Sequence, residues 1–391
     1  MKQGWEYKKL GEVCYPKNKI QRATKCFDTS DKIFYIDISS IDNTIQKMTD
    51  VISVTFGDAP SRAQQKVEYG DIIVSTVRPN LKNIAIIDRY ESNLVASSGF
   101  CVLRNTEHVE RNYLYHYITS DLFTQHLMKL TTGANYPAVR DQDVRDSIIP
   151  IPPKSIQLAI VSELDKINEL IRLKKEQLKD YDNLAQSIFY EMFGDPVENE
   201  KGWEVKKIGE IGSVERGAGI SKKDFVEDGL PCIHYGQLHT ILGARTKKHY
   251  TSIPHDLLPK YKVAHTGDLV MAITSEDVEG SCKSTAWLGN YDVIVGSDAA
   301  ILHHEQDGTF LSYYTMTKAF YNEKAKYAKG FKVTHISTKE IEKISVFLPP
   351  LPLQHLFAQR IEQIERQKSA VQKSITDLET LLASRMQHWF E

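Results

Sequence analysis

The side chains of this chain best suited to chemistry lie on polar loops, and the chemistry they suit is the reading of nucleic-acid bases and the gripping of phosphates. The stretch Ser75 to Asn83, STVRPNLKN, offers Ser75, Thr76, Arg78, Asn80, Lys82 and Asn83 on a segment stiffened by Pro79. Arginine can bond guanine bidentately and asparagine can do so with adenine, while hydroxyls and lysine suit phosphates. A second loop, TTGANYPAVR from Thr131 to Arg140, carries Asn135, Tyr136 and Arg140. Opposite it stands KGFKVTHI, Lys329 to Ile336, with Phe331, Lys332 and His335. An aromatic at such a position can stack on a base or wedge between steps, and the cations can meet phosphate. A third group comprises Arg216, Lys222 and Lys223 in RGAGISKK, with His234, Tyr235, Gln237 and His239 in IHYGQLH.

The sequence carries few signs of catalysis. It has no GxxxxGK[ST] phosphate loop, and no GxGxxG follows a strand-like run. The pairs His303-His304 and His234/His239 lack the HExxH spacing that puts two metal ligands and a base on one helical face. They read as loop or core histidines, so no metal site and no catalytic residue is assigned. Gly217-Ala218-Gly219 reads as an ordinary loop. The cysteines, Cys14, Cys26, Cys101, Cys232 and Cys282, include no CxxC pair and fit a reducing cytoplasm better than a disulfide framework.

What must position these loops is a duplicated scaffold. WEYKKLGE, Trp5 to Glu12, recurs as WEVKKIGE, Trp203 to Glu210, and GDIIV from Gly70 recurs as GDLVM from Gly267. Ile151-Pro152-Pro153 with Gln157 is matched by Leu348-Pro349-Pro350 with Gln354. Beyond them Leu164 keeps step with Ile361, Ile167 with Ile364, Leu178 with Ile375, Leu184 with Leu381 and Phe193 with Phe390, each pair 197 residues apart. The flanks of STVRPNLKN match those of ITSEDVEGSCK, Ile273 to Lys283, but the loop contents differ. In the second copy Thr274, Ser275 and Lys283 take the reading positions. Two copies that read different DNA would keep the scaffold and diverge there, although exposed loops also drift without function.

After Pro153, Ile160, Leu164, Ile167, Ile171, Leu178, Tyr181, Ala185 and Ile188 follow alternating steps of four and three, interrupted at Lys174. The second series is Phe357, Ile361, Ile364, Val371, Ile375, Leu378 and Leu382, interrupted at Lys368. This spacing predicts two coiled-coil helices of about 38 residues, roughly 57 Å each. One apolar stripe on so long a helix needs a partner, and the simplest is the other copy laid antiparallel. The domains before the helices read as mixed α/β. Short β-rich runs fall at 33–38, 51–55, 70–76 and 83–88, with helical segments over Asn112–Leu130 and Leu311–Tyr327. Strands and helices do not alternate regularly, so the class is α+β.

The expected organisation is a recognition domain over 1–153, a long helix over 154–193, a linker over 194–202, a second domain over 203–350 and a second helix over 351–391. Two-fold relation of the copies would separate the domains by the paired helices. Charged residues make up 26% of the chain and the formal net charge is −2, so bulk charge cannot supply the grip on DNA. Basic residues must gather on one face, or a partner must help. No apolar run reaches the length of a membrane span and the N-terminus has no apolar signal region, so a cytoplasmic protein is expected.

In this order the motifs resemble, over nearly the whole length, the specificity subunit of type I restriction-modification systems. The repeated W-E-x-K-K-[LI]-G-E opening, the G-D-hydrophobic strand before STVRPNLKN, KGFKVTHIS and the Pro-Pro-x-x-x-Gln helix entries carry the resemblance. SKKDFVEDGLPCIHYG, from Ser221 to Gly236, also looks like one variety of target recognition domain. The resemblance implies that each domain reads half of a bipartite target in the major groove of double-stranded DNA. It implies helices that set the unread spacer and dock two modification subunits, with restriction subunits as further partners. S-adenosylmethionine, ATP and magnesium would sit on those partners and none on this chain. The sequence lacks the methyltransferase [ND]PP[YF] motif and the ATPase loop, in keeping with a non-enzymatic role. A methylation-only system, an unrecognised two-domain hydrolase using the His-rich stretches, and a protein-binding coiled-coil adaptor are the competing readings.

Overall fold

The computed structural model describes residues 2–133, 136–220, 222–255, 261–330 and 333–391. Two compact units divide the chain: Met1–Lys175 with Lys373–Glu391, and Glu176–Gln372. The division cuts both long helices, Lys154–Phe193 and Leu351–Phe390, each 40 residues in length. Each unit therefore contains one domain, the start of the helix that follows that domain, and the end of the other helix.

The helix entries show why the Pro-Pro-x-x-x-Gln pattern occurs twice. Pro153 and Pro350 need no amide partner, and their carbonyls accept the first helical hydrogen bonds from Gln157 and Gln354. Both glutamines are buried, at 1% and 0% exposure. Gln157 Oε1 accepts from the Glu110 amide at 2.7 Å while Nε2 donates to Pro152 O at 2.9 Å. Gln354 repeats this with the Asp307 amide at 3.0 Å and Pro349 O at 2.8 Å. A buried amide satisfied on both ends fixes the angle at which each helix leaves its domain.

The far end of each helix is held by apolar packing. Phe390 is buried against Tyr113 and Tyr117, with ring centroids 5.5 Å away in each case. Phe193 packs on Phe310, the counterpart of Tyr113, at 5.0 Å and on Phe357 of the other long helix at 5.4 Å. Lysines close both C-termini: Lys2 donates to the carbonyls of His388 and Trp389, and Lys201 to those of Glu191 and Met192. A cation there satisfies orphan carbonyls and the negative end of the helix dipole.

Within each unit the helix segments run antiparallel. In the first, Glu163 pairs with Arg385 and Lys175 with Glu379. In the second, Asp182 pairs with Lys368 at 2.8 Å while Phe189 packs on Phe357. Ile160, Leu164, Ile167, Ile171, Ile361, Ile364, Val371 and Ile375 are buried, whereas Leu178, Tyr181, Leu378 and Leu382 are half-buried. Ile160 and Leu164 also belong to the first domain's core, and Ile361 and Ile364 to the second's. The seam is therefore partly a domain core and only partly a helix–helix contact.

The two domains share a plan. The strand Glu6–Lys9 pairs antiparallel with Ile148–Ile151, and Glu204–Lys207 with Ser345–Leu348, so each domain closes on the strand that leads into its helix. A four-stranded sheet follows the order Ile52–Thr55, Lys32–Ile36, Leu94–Ser97, Ala63–Lys66 in the first domain. The second repeats it with Thr251–Ile253, Leu230–Ile233, Val293–Val295 and Lys262–Ala264. The Gly-Asp repeat has a backbone cause. Gly70 and Gly267 take φ of +89° and +102°, open only to glycine at low cost. Asp71 and Asp268 then accept the amides of Glu68 and His265 three residues back, and pair with Arg104 and His303 respectively.

The helical stretch expected as one piece over 112–130 is two helices, Arg111–Thr119 and Asp121–Leu130. Ser120 breaks it by adopting an extended ψ of 152°, and its hydroxyl caps the Phe123 amide. Thr317 does the same between Gly308–Tyr314 and Lys318–Ala325. Hydrophobic spacing continues across the break, which is why periodicity alone misses it.

The crossing of helix ends makes a specific prediction. Phe390→Ala, at the C-terminal end of the chain, should destabilise the first unit by about 3–5 kcal/mol through the cavity left beside Tyr113 and Tyr117. Hydrogen exchange should quicken across residues 2–153 and not across 203–350. An even rise in both domains, or none, would contradict this packing.

Candidate nucleic-acid interface

In the first domain, the two loops singled out from sequence form one surface. Val77 and Ala138 make an antiparallel bridge, and Ala138 also bridges Thr132. The Arg78 amide donates to Pro137 O at 2.7 Å and the Val139 amide to Thr76 O at 2.9 Å. This pairing carries the Arg78 guanidinium to 4.6 Å from the Tyr136 ring. Tyr136 is 68% exposed, so the ring and cation present a joint face to solvent. Stacking orients the guanidinium plane while leaving edge donors free, the arrangement needed for bidentate recognition. Arg78 holds a left-handed φ of +49°, a conformation costing about 1–3 kcal/mol outside glycine and concentrated at functional sites.

The other members of this loop have different environments. Asn80 is exposed beside Arg78. Ser75 is buried, with its hydroxyl donated to Val77 O, and Asn83 is buried at the base of the loop. Thr76 donates its hydroxyl to Gly99 O at 2.9 Å. Lys82 points back into the domain, toward Thr119 O at 3.1 Å and Asp121 at 2.6 Å. Arg140 is exposed and forked onto Asp143 at 2.7 Å, which raises the arginine pKa and holds the aspartate below its usual range. Of the expected set in this domain, Arg78, Asn80, Tyr136 and the Asp143-paired Arg140 are therefore the groups presented outward, whereas the hydroxyls and Lys82 shape the loop. Asn135, Phe331 and Lys332 lie outside the described residues.

The second domain builds the same surface with other side chains. Thr274 pairs with His335 and Ser275 with Thr334, at positions offset by 197 from Val77 and Ala138. Lys329 bridges His335 as Thr132 bridges Ala138. Thr274 Oγ1 is 3.3 Å from His335 Nδ1, and His239 Nε2 is 3.2 Å from Thr274 O. Lys283 donates to His239 O at 3.2 Å, and Tyr235 lies edge-on to His239 at 6.2 Å. His239, Thr274, Ser275, Lys283 and His335 are thus one cluster, assembled from the short helix Tyr235–Thr240, the segment 274–283 and the strand Thr334–His335.

The remaining group is more structural. His234 is 9% exposed and accepts the Gly236 amide on Nδ1. Burial, then Lys222, lowers its pKa from the ordinary histidine value, against a smaller opposing effect of Asp298. Gln237 is equally buried, bonding His234 N and Thr251 Oγ1. Arg216 donates to Ser297 O at 2.9 Å and stands 3.7 Å from Asp298. Lys222 and Lys223 lie exposed on a short 3-10 turn. What the sequence missed is that the loops pair through their main chains; the shared 197-residue offset of Gly133 and Gly330, both at positive φ, was the available signal.

The His-rich stretch that carried the hydrolase alternative is tied into the fold. His303 Nδ1 bonds the nearly buried Asp268 at 2.8 Å, and burial lowers the pKa of His304. Among the described residues no three His, Cys, Asp or Glu side chains are grouped to hold a metal. Among them, too, no helix is long and apolar enough to cross a membrane.

Residues 2–180 and 200–380 each match the family model described as the type I restriction modification DNA specificity domain. The chain is 24% identical over 300 residues to the type I restriction enzyme MjaVIII specificity subunit of Methanocaldococcus jannaschii, covering 69% of each. A putative MjaX specificity subunit of the same organism is 21% identical over 406 residues, covering 97% of this chain and 92% of that one. A solved chain from work on complex assembly and conformational transition of the type I R-M system is 28% identical, with a TM-score of 0.65. It matches all of this chain and 98% of its own length. The S subunit of a type I system from M. genitalium shares the fold at 13% identity and a TM-score of 0.52, over 100% of this chain and 98% of that one.

Thiol reactivity offers a check on the buried setting of these loops. Burial pushes the Cys14 and Cys282 thiols up to about 12, and Cys101 also well above its ordinary value. A raised pKa leaves the unreactive thiol form in place at pH 8. Iodoacetamide at pH 8 should therefore label the half-buried Cys26 first in the folded chain, and all five cysteines only after denaturation. Labelling of Cys14 or Cys282 as fast as Cys26 would contradict the packing.

Proposed function

The chain belongs to the type I restriction-modification DNA specificity family, with two copies of the family domain, and on that premise we propose how the two copies divide the work. The chain is the specificity subunit, and each domain reads one half of a bipartite target in double-stranded DNA. The observation that carries this reading is a conserved backbone pairing dressed with different side chains. Arg78 and Tyr136, with Asn80 nearby, flank it in the first domain, and Thr274 and His335 form it in the second, with His239 against Thr274. Scaffold identity with divergence at the outward groups is what two readers of unlike sequences require.

Arg78 is suited to a guanine edge, held flat by Tyr136, and Asn80 to an adenine edge. Thr274 and His335 present smaller polar groups, suited to other base edges or phosphate. Arg216, Lys222, Lys223, Lys283 and Arg140 supply positive charge near the two surfaces. With a net charge of −2, the chain needs help in holding DNA, and modification subunits docked on the long helices would close around the duplex. Two such subunits suit the two-copy design, with restriction subunits added in a cleaving system. The chain itself carries no catalysis and no cofactor. S-adenosylmethionine for adenine methylation, and ATP with magnesium for cleavage, belong to the partners. The expected location is the cytoplasm. A methylation-only system uses the same subunit in the same way.

Mapping methylated adenines in DNA exposed to this chain and its modification subunits should return a bipartite motif. Arg78→Ala and Tyr136→Ala should relax one base pair or more in one half, by about 5- to 150-fold in preference, from roughly 1–3 kcal/mol per bidentate contact. The other half should be unchanged. A single continuous motif, or no loss of preference in either variant, would refute the reading.

A further inference from the structure

The second domain buries a lysine where the first has a leucine. Lys324, on the helix Lys318–Ala325, is 4% exposed, and the residue 197 positions earlier is Leu127, buried in the first domain's core. Burying an ammonium is expensive unless its donors are satisfied in good geometry. Lys324 Nζ donates to Glu279 O at 2.8 Å and to Ser281 O at 2.6 Å, and lies 5.6 Å from the Tyr321 ring. Both hydrogen-bond partners are main-chain carbonyls of the loop that follows Thr274 and Ser275.

Those carbonyls flank Gly280, the tightest point of the loop. A Cβ there would stand 2.2 Å from Ser275 Oγ and 3.3 Å from His239 Cε1. The Gly280 amide donates to Asp277 at 2.7 Å, Ser281 Oγ to Val278 O at 2.7 Å, and Cys282 adopts a φ of +55°. The loop is thus a compact knot pressed against the outward groups, and the ammonium draws it onto the helix from below. Burial lowers the pKa of Lys324, opposed by the nearby Cys282, Glu279 and Asp277, while the two carbonyls take up its donors.

The first domain reaches the same end from the opposite side. Lys82 belongs to the reading loop and itself takes a left-handed φ of +50°. It donates to Thr119 O at 3.1 Å and to Asp121 at 2.6 Å, at the break between the paired helices. Leu127 lines the space beneath that loop with Pro79 and Asn83. One loop sends a lysine to the helices, and the other receives a lysine from them.

We propose that Lys324 is a positioning residue for base discrimination by the second domain, holding the loop behind Ser275 and His239 in register, and that Lys82 is its counterpart behind Arg78. The proposal rests on the DNA-reading function above. Neither lysine needs to touch DNA. Each sets the geometry of groups that do, and a displacement of the loop changes which base edge those groups meet.

The test uses the full chain assembled with its modification subunits, as wild type, Lys324→Met and Lys82→Met, with methylated adenines mapped for each. Lys324→Met should lose about ten-fold in preference at base pairs of one half-site, the size of a lost base contact. The other half should be untouched. Lys82→Met should show the mirror image, and it is the half-site relaxed by Arg78→Ala that it should relax. Hydrogen exchange should quicken at 274–283 in Lys324→Met and at 75–83 in Lys82→Met. Loops that exchange faster with both half-site preferences intact would overturn the proposal, as would equal relaxation of both halves by either variant. If Lys324→Met does not fold, Lys324→Gln, which keeps a shorter donor in place, is mapped instead, and Lys82→Met tests the first-domain half of the proposal separately. A wild-type pattern without two halves would overturn the functional reading itself, and this proposal with it.

Discussion

Phe193 and Phe390 end the two long helices, and both are buried in a core that their own preceding domain does not supply. A 40-residue helix with one apolar stripe must cover that stripe along its whole length. Here the coverage comes in thirds. The first turns pack into the domain the helix leaves, the middle meets the antiparallel partner, and the last turn is taken into the other domain's aromatic cluster. Glutamine at the start and phenylalanine at the end weld each domain to both helices. A reading surface built on such a domain inherits a fixed attitude to its own helix segments, which a flexible linker would not supply.

The same economy runs through the candidate reading surfaces. A main-chain bridge between residues 77 and 138, repeated between 274 and 335, brings distant loops together without committing any side chain. Backbone bonds carry no sequence preference, so the outward residues are left free to differ. The positive φ of Arg78 and the stacked Tyr136 indicate that the first surface is preorganised before it meets a ligand.

Much of this was legible in the residues. The 197-residue repeat, the proline–glutamine entries and the 3-4 spacing each have a direct structural cause in a cap, a buried amide or a packed seam. Ser120 and Thr317 were not legible, because a capping hydroxyl interrupts a helix while apolar spacing runs on unbroken. At the candidate site, residue type picked out Arg78 and Tyr136, and the fold leaves both exposed and side by side. It did not distinguish Lys82 or Ser75 from phosphate contacts, since a lysine turned inward to a carbonyl looks the same in sequence as one turned outward. Lys324 left only the trace of a charge standing opposite Leu127.

On this reading the two copies act separately on a shared scaffold. The most direct test is a chimaera in which residues 1–150 are replaced by the corresponding domain of another family member, assembled with the modification subunits and read by adenine-methylation mapping. One half of the bipartite motif should change while the other half is kept base for base. A motif altered in both halves, or in neither, would contradict it.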